Sequence, residues 1–272
     1  MSAPGTASTR ALASGGADGS GGADASGGVP RLSVIVPTLN EARRIQSLMS
    51  WLGRLNGIDE VVVSDGGSDD GTAQLARDSG YPGALQVLEG PRGRGQQLNR
   101  GARAARGQQL LFIHADCLPP RDSAYWIRRT LRQPDTAAGA FKTWHVSEER
   151  LASLASGCPG VNEGGSRPWL HLADLRSRYT RLPYGDQGLF ITRESFERSG
   201  GYPDQPLMED LEFSRRLCRF GAIRTAPSCM LVSGRRFEAR PLRDTCLVNV
   251  FPVLYGFGVP ATRLAAWYRD TR

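Results

Sequence analysis

Lysine is almost missing from this chain: Lys142 is the single lysine among 34 basic residues. Only 27 acidic residues oppose them, so the net charge is +7. A positive balance suits anionic partners, but scattered arginine lacks the alternation with aromatic residues that is typical of a nucleic-acid groove. The composition therefore predicts no nucleic-acid partner.

Cysteine is also scarce, and its five residues form no C-x-x-C pair and no cysteine–histidine spacing that suits structural zinc. Long apolar runs are missing too, since no segment has the roughly twenty apolar residues that cross a bilayer. Residues 1–30 are rich in Gly, Ala and Ser and contain no apolar core of signal-peptide length. We expect a disordered tail over 1–30 and a reduced, cytoplasmic protein.

Short apolar runs alternate with amphipathic segments over the first part of the chain. Strands are predicted at Leu32–Val36, Glu60–Ser64, Ala84–Leu88 and Leu110–Ile113. Helices are predicted between them at Ala42–Leu55, Thr72–Ser79 and Gly95–Arg106. This alternation, with its short connections, indicates an α/β fold with a parallel sheet and right-handed crossovers.

The second part of the chain is less regular. Helices are predicted at Ser123–Gln133, Trp169–Tyr179 and Glu209–Arg219, and strands at Ala137–Val146 and Gly188–Thr192. A mobile loop is predicted at Glu148–Arg167. The apolar end, Leu242–Tyr268, predicts a pair of short helices packed on the sheet. A membrane-surface or partner-binding helix is the alternative, because aromatic residues alternate there with arginines.

Polar clusters follow the predicted strands. Asp65 lies in SDGGSDDGT between a strand and a helix, where a carboxylate can accept from a base or ribose and the helix start favours phosphate. Gly90–Gly95 is a basic, glycine-rich loop that suits a diphosphate. The first turn lacks G-x-G-x-x-G, which argues against a standard NAD enzyme.

Asp116 follows the fourth strand in LLFIHADC. Ligands of open α/β sheets gather at this edge, and Mg²⁺ or Mn²⁺ often takes only one or two oxygens from protein. A capping role for Asp116 is the alternative. His114 is a second candidate ligand, with a structural histidine as its alternative.

Glu209 and Asp210 begin the helix predicted at Glu209–Arg219, where acidic residues suit the helix dipole in any case. A carboxylate that faces a pocket there can also act as a catalytic base on a hydroxyl. The polar turn Gly185–Gly188 is a candidate for the acceptor side, through Gly185, Asp186 and Gln187.

Six motifs in a fixed order resemble the family 2 glycosyltransferases of GT-A fold, and most closely a bacterial subgroup of short, soluble members. They are PTLNE (37–41), SDGGSDDGT (64–72), GRGQQLNRGA (93–102), FIHAD (112–116), YGDQG (184–188) and PLMEDLEFSRRL (206–217). The resemblance implies a mostly parallel sheet flanked by helices. It divides the chain into a Rossmann-like nucleotide-sugar half (31–118), an acceptor half (119–240) and C-terminal helices (241–272) that pack on the domain or on a membrane surface.

The resemblance also implies roles for single residues. Asp116 matches the last carboxylate of the metal-binding D-x-D motif, and Asp210, with Glu209 beside it, matches the catalytic base of inverting members. The nucleotide-sugar contacts would come from Pro37, Thr38, Asn40, Glu41, Asp65, Gly66, Ser68, Arg92, Gly93, Arg94, Gly95, Asn99 and Asp116.

Two departures qualify the match. His114 stands where many relatives carry Asp, which leaves one certain carboxylate for metal. Ser233–Phe237 stands where processive relatives carry Q-x-x-R-W, and only an arginine followed by an aromatic residue matches. The sequence also shows no segment like the transmembrane helices of those relatives.

We therefore expect an inverting, non-processive glycosyltransferase that moves one sugar from a nucleoside diphosphate sugar, UDP-sugar favoured, to a hydroxyl of a lipid, glycan or small molecule. Mg²⁺ or Mn²⁺ would assist. The expected location is cytoplasmic, with peripheral contact at the inner membrane face as an option, and the oligomeric state stays open. A sugar-phosphate nucleotidyltransferase and a non-catalytic nucleotide-sugar-binding protein are the alternatives.

Overall fold

The computed structural model describes Met1, residues 28–157, Asp174, residues 182–235 and residues 241–270. Most of the predicted tail (1–30), the second half of the predicted loop Glu148–Arg167, and the predicted helix Trp169–Tyr179 except Asp174 lie outside the described residues.

Strands and helices alternate along the described chain. The strands are β1 (Leu32–Thr38), β2 (Glu60–Asp65), β3 (Ala84–Glu89), β4 (Gln109–Phe112), β5 (Cys117–Leu118), β6 (Thr136–Val146), β7 (Phe190–Thr192) and β8 (Ala222–Ser233). The helices are α1 (Ala42–Leu52), α2 (Thr72–Arg77), α3 (Arg94–Ala104), α4 (Ser123–Leu131), α5 (Glu148–Ser156), α6 (Arg193–Arg198), α7 (Glu209–Leu217), α8 (Pro241–Gly256) and α9 (Ala261–Asp270).

These strands form one sheet in the order β3-β2-β1-β4-β7-β6-β8-β5. The first four are parallel to one another, as predicted. Their register pairs Pro37 with Ser64 and Thr38 with Asp65, so the carboxyl ends of β1 and β2 lie side by side. This confirms the α/β class and brings the predicted polar clusters to one edge of the sheet.

The other half of the sheet is mixed. β7 runs antiparallel to both β4 and β6, whereas β8 runs parallel to β6 and antiparallel to β5. No strand is predicted from the sequence at Ala222–Ser233, where β8 lies. Its pairing with β6 is interrupted between Ala140 and Lys142, where the partner moves from Thr225 to Cys229. The extra residues on β8 include Pro227. Proline in a sequence argues against a strand unless it lies at a bulge, so the sequence pattern does not indicate β8.

The predicted mobile loop at Glu148–Arg167 is wrong in its first half, which is helix α5. The Ser147 side chain caps this helix by accepting a hydrogen bond from the Arg150 N–H (3.3 Å), and Gly157 ends it with φ 81°. Leu151 and Ala155, one turn apart, are buried. The glycines that suggested a loop come after the helix, so they mark its end.

Two apolar layers enclose the centre of the sheet. Successive residues of β4 point to opposite sides, with Leu110 and Phe112 in one cluster and Leu111 in the other. In the first cluster, the rings of Tyr202 and Phe213 lie 4.2 Å apart between centroids. This packing fixes α7, the helix that begins with Glu209, against the sheet.

The C-terminal helices α8 and α9 bury Phe251, Leu264 and Ala265. Pro252 lies within α8. In the described part of the chain, no helix combines the length and apolar character needed to span a membrane.

Candidate active site

The loops after β1 and β2 are organised by Asp65, which is buried. Its carboxylate accepts hydrogen bonds from the Thr38 hydroxyl (3.0 Å), the Ser68 N–H (2.8 Å) and the Gly67 N–H (3.2 Å), and also from the Ser68 hydroxyl. The predicted nucleotide contact Asp65 therefore holds its own loop in shape.

Asn40 and Glu41 join this loop to the turn after β1. The Asn40 N–H donates to the Ser68 hydroxyl (2.9 Å), and the Asn40 side-chain oxygen accepts from the Asp69 N–H (3.1 Å). The Glu41 N–H donates to the Thr72 hydroxyl (2.9 Å). Asn40 adopts φ 55°, a left-handed conformation that asparagine tolerates better than most residues.

Helix α3 supports both strand ends through a residue that the sequence analysis did not single out. The buried Gln97 amide donates to the carbonyl oxygens of Thr38 (2.7 Å) and Ser64 (2.9 Å). A Cβ at Gly66 would lie 2.9 Å from the Gln97 side chain, so only glycine fits there without displacement. Because Gln97 is one of several polar residues on α3, its inward direction was not readable from the sequence.

The loop Gly90–Gly95 starts α3 at the same edge. Gly93 has φ 155°, and a Cβ at Gly95 would clash with the Pro203 carbonyl oxygen. Arg92 is exposed. Asn99, predicted to contact the nucleotide, hydrogen-bonds the backbone of Tyr202: its side-chain N–H donates to the Tyr202 carbonyl (2.8 Å) and its side-chain oxygen accepts from the Tyr202 N–H (2.9 Å).

Arg94 connects the two halves of the chain. Its guanidinium lies 3.0 Å from the Glu209 carboxylate at the start of α7, 115 positions along the sequence. The Glu209 side chain is 2% exposed and the Arg94 side chain 41%, so the pair has one end in solvent. These residues belong to different sequence motifs, and the structure pairs them.

Asp210 follows Glu209 on α7. Met208, just before the helix, adopts the left-handed φ of 64°, an uncommon value for methionine that sets the direction of the first turn. The Asp210 carboxylate accepts a hydrogen bond from the Gly185 N–H (3.1 Å). Burial, and then the charge of Glu209, raise the pKa of Asp210 to about 7.

His114 lies close to Asp210, with Gly185 between them. A Cβ at Gly185 would clash with the His114 ring and lie 2.6 Å from the Asp210 carboxylate, so glycine is required for this approach. Burial, and then the charge of Arg94, lower the pKa of His114 to about 4. The imidazole is therefore neutral at pH 7 and able to act as a ligand.

Asp116 and His114 form a small set of metal donors. The Asp116 side chain is 19% exposed and lies 3.9 Å from the Arg235 guanidinium. Among the described residues, no cluster of three or more His, Cys, Asp or Glu side chains suits a metal. A carboxylate and a neutral imidazole nevertheless fit Mn²⁺, which completes its shell with phosphate and water when protein supplies few ligands.

An open cleft joins these groups. Arg94, His114, Asp116, Glu209 and Asp210 line its polar end, and its lining also includes Tyr184, Gly185 and Asp186. Among the described residues, Gln187 does not line it: Gln187 is buried and donates to the Phe141 carbonyl (3.2 Å). The other nucleotide-sugar candidates lie at the carboxyl ends of β1 and β2, in the loops after β1, β2 and β3, and in α3.

Two further groups of cleft residues were missed by the sequence analysis. His145 on β6 lines the cleft, and its Nδ1 lies 2.6 Å from the buried Asp174 carboxylate. The C-terminal helices supply an apolar wall formed by Leu247, Val248, Phe251, Pro252 and Tyr268. A lone histidine in a strand, and apolar residues far along the chain, carry no sequence signal that ties them to a site.

The chain matches a family model and resembles several known proteins. The model, glycosyl transferase family 2, matches residues 33–196, more than half of the chain. Probable glycosyltransferase YdaM of Bacillus subtilis (strain 168) is 23% identical over 210 residues, which are 71% of this chain and 48% of that protein. The chain spans about half the length, or less, of the curated relatives it matches.

Two solved structures share the fold. Mannosyltransferase PcManGT from Pyrobaculum calidifontis, in complex with GDP-Man and Mn²⁺, has a TM-score of 0.56 and 26% identity, covering 75% of this chain and 57% of that one. S. aureus TarS 1-349, in complex with UDP-GlcNAc, has a TM-score of 0.55 and 20% identity, covering 75% and 58%. With the match over residues 33–196, these likenesses establish that the chain belongs to glycosyl transferase family 2 and has its GT-A fold.

Proposed function

We propose that the protein is an inverting, non-processive glycosyltransferase that moves one sugar from a nucleoside diphosphate sugar to a hydroxyl acceptor. The observation that carries the proposal is that Asp210 lines the same cleft as Asp116 and His114. A base for the acceptor and donors for a diphosphate-bound metal then lie around one space.

The reaction follows from these groups. Asp210 takes the proton of the acceptor hydroxyl as its oxygen forms a bond to the anomeric carbon. The bond from that carbon to the diphosphate breaks on the opposite face, so the configuration inverts and a nucleoside diphosphate leaves. A pKa of about 7 keeps a large share of Asp210 ionised near neutral pH while it remains basic enough to accept the proton.

Asp116 and His114 are the residues that would hold Mg²⁺ or Mn²⁺. When bound, the ion supplies a Lewis acid for the charge that grows on the departing diphosphate. Arg94 adds fixed positive charge at the same end of the cleft, where it is held by Glu209.

A UDP-sugar is the favoured donor. The glycine-containing loops around Asp65 and Gly93 lie at the sheet edge, and the second of them leads into the start of α3, an arrangement that suits a nucleotide diphosphate. The S. aureus structure contains UDP-GlcNAc and the P. calidifontis structure contains GDP-Man with Mn²⁺, so both nucleotides belong in the test.

The acceptor is a hydroxyl of a lipid, glycan or small molecule. A cytoplasmic location is part of the proposal and rests on the cysteines: in the described part of the chain, Cys117, Cys218, Cys229 and Cys246 are free thiols.

The test measures nucleoside diphosphate release from UDP-glucose, UDP-GlcNAc and GDP-mannose with Mn²⁺, with Mg²⁺ and with a chelator. We expect one donor to turn over, and Asp210→Asn to lower kcat by roughly 10²–10⁴-fold while donor binding, followed by thermal shift, is kept. Asp78→Asn, at an exposed acid on α2's carboxyl end, is the control.

Two results would contradict the proposal. Unchanged turnover in Asp210→Asn would show that Asp210 is not the catalytic base. Release of pyrophosphate from a nucleoside triphosphate and a sugar phosphate would identify a nucleotidyltransferase instead.

A further inference from the structure

The C-terminal helices carry large apolar side chains on their outer surface. Val250, Val253 and Phe257 are 41%, 55% and 85% exposed, and Trp267 on α9 is 45% exposed. We name these four residues the C-terminal stripe. Side chains of this kind are rarely left in water as a group unless they contact a partner or a membrane.

Their spacing places the first three on one side of α8. Residues 250, 253 and 257 follow one another at intervals of three and four, which brings them to the same helix face. Phe257, the most exposed, lies just after α8 ends at Gly256, in the short connection to α9. It is therefore the projecting tip of a helical hairpin.

The opposite side of α8 faces the candidate active site. Leu247, Val248 and Phe251 line the cleft that also contains Asp116 and Asp210. A helix that is apolar on all sides is usually buried on all sides. In this structure one side meets the cleft and the other is open.

Charge favours a lipid surface over a second copy of the chain. Arg263 is exposed and lies one helical turn before Trp267, so a cation and an indole share one face of α9. Arginine beside tryptophan and phenylalanine is typical of helices that lie in a membrane interface. The net charge of +7 attracts the chain to anionic headgroups and opposes its pairing with an identical, equally charged chain.

We infer that the C-terminal stripe docks on an anionic lipid surface, with Phe257 and Trp267 in the interface and Arg263 at the headgroups. Helix α8 then borders the lipid with one side and the cleft with the other, which brings the cleft close to the membrane, so an acceptor carried by the membrane reaches Asp210 without leaving the lipid surface. This last point rests on the proposed function, whereas docking itself does not.

The experiment is co-sedimentation of the full chain with vesicles of phosphatidylcholine alone and of phosphatidylcholine with phosphatidylglycerol. We expect binding to the anionic vesicles that weakens as salt rises. Phe257→Ser should lower the partition coefficient about tenfold or more, because one exposed aromatic anchor is lost. Arg263→Gln should weaken binding to anionic vesicles and reduce its dependence on salt.

Phe220→Ser is the matched control, because Phe220 is 43% exposed and lies outside the stripe. It should bind vesicles like the unmodified chain. Equal binding by Phe257→Ser and the unmodified chain would overturn the inference, as would a concentration-dependent dimer that Phe257→Ser dissociates without any vesicle binding. Donor turnover is measured separately in solution, so loss of the proposed activity and loss of docking are distinguishable.

Discussion

At the scale of single residues, the cleft contains groups whose protonation is set by burial. His114 is neutral at pH 7 because its pKa is lowered to about 4, and Asp210 titrates near neutrality because its pKa is raised to about 7. The cleft thus holds an imidazole that stays neutral and a carboxyl group that titrates near neutral pH, which are the protonation states that the proposed roles of His114 and Asp210 need.

The raised pKa of Asp210 has a cost in stability with a definite sign. The folded value of about 7 exceeds the ordinary value of 3.8, so the native state binds more protons between these values and stability falls as pH rises through them. Asp210→Asn removes the buried charge. We expect it to unfold at higher urea concentration than the unmodified chain at about pH 8, with the gain vanishing near about pH 4.

Asp78→Asn is again the control, and its effect should be small and the same at both pH values, because Asp78 is exposed. If Asp210→Asn raised the stability to urea equally at the two pH values, the destabilisation would not come from the ionised carboxylate of Asp210.

At the scale of elements, the link between α3 and α7 is the ion pair of Arg94 and Glu209. A double-mutant cycle with Arg94→Gln and Glu209→Gln should give a coupling of about 1 kcal/mol in urea unfolding, because the half-exposed Arg94 keeps the pair partly hydrated. A coupling near zero would mean that tertiary packing alone, through Tyr202 and Phe213, holds α7 in place.

Sequence reasoning predicted some elements well and others poorly, for physical reasons. β1, β2 and β4 are fully buried apolar runs followed by polar turns, and this local pattern is sufficient to identify them and their strand-end side chains. β8 was not predicted because Pro227 and a bulge interrupt its strand pattern. α5 was not predicted because the glycines that follow it make the whole segment resemble a loop.

The same division applies to the candidate site. Asp116 and Asp210 each follow or begin a recognisable element, so their place was predictable. The contact of Arg94 with Glu209, the support from Gln97 and the wall from α8 depend on which distant residues the topology brings together, and no local pattern encodes that.

At the scale of the whole molecule, the strand order interleaves the two halves of the chain. β4 lies in the predicted nucleotide-sugar half, but its neighbour on the side away from β1 is β7, a strand from nearly eighty residues later that pairs Ile191 with Leu110. A chain cut after residue 118 keeps every predicted nucleotide contact up to Asp116, yet it leaves the edge of β4 unpaired and loses Phe196 and Tyr202, whose rings pack against Phe112.

We therefore expect residues 28–118 alone to be insoluble or aggregated, judged by size-exclusion chromatography and circular dichroism, whereas residues 28–272 remain soluble. A folded, monomeric fragment that binds UDP would show that the first half is autonomous.

This interleaving also bears on synthesis at the ribosome. Because β7 emerges long after β4, the centre of the sheet stays open while most of the chain is being made, and β4 gains its second neighbour only when β7 has been synthesised. The proposed nucleotide and acceptor sites would then form in one late step, so a truncated translation product would have neither.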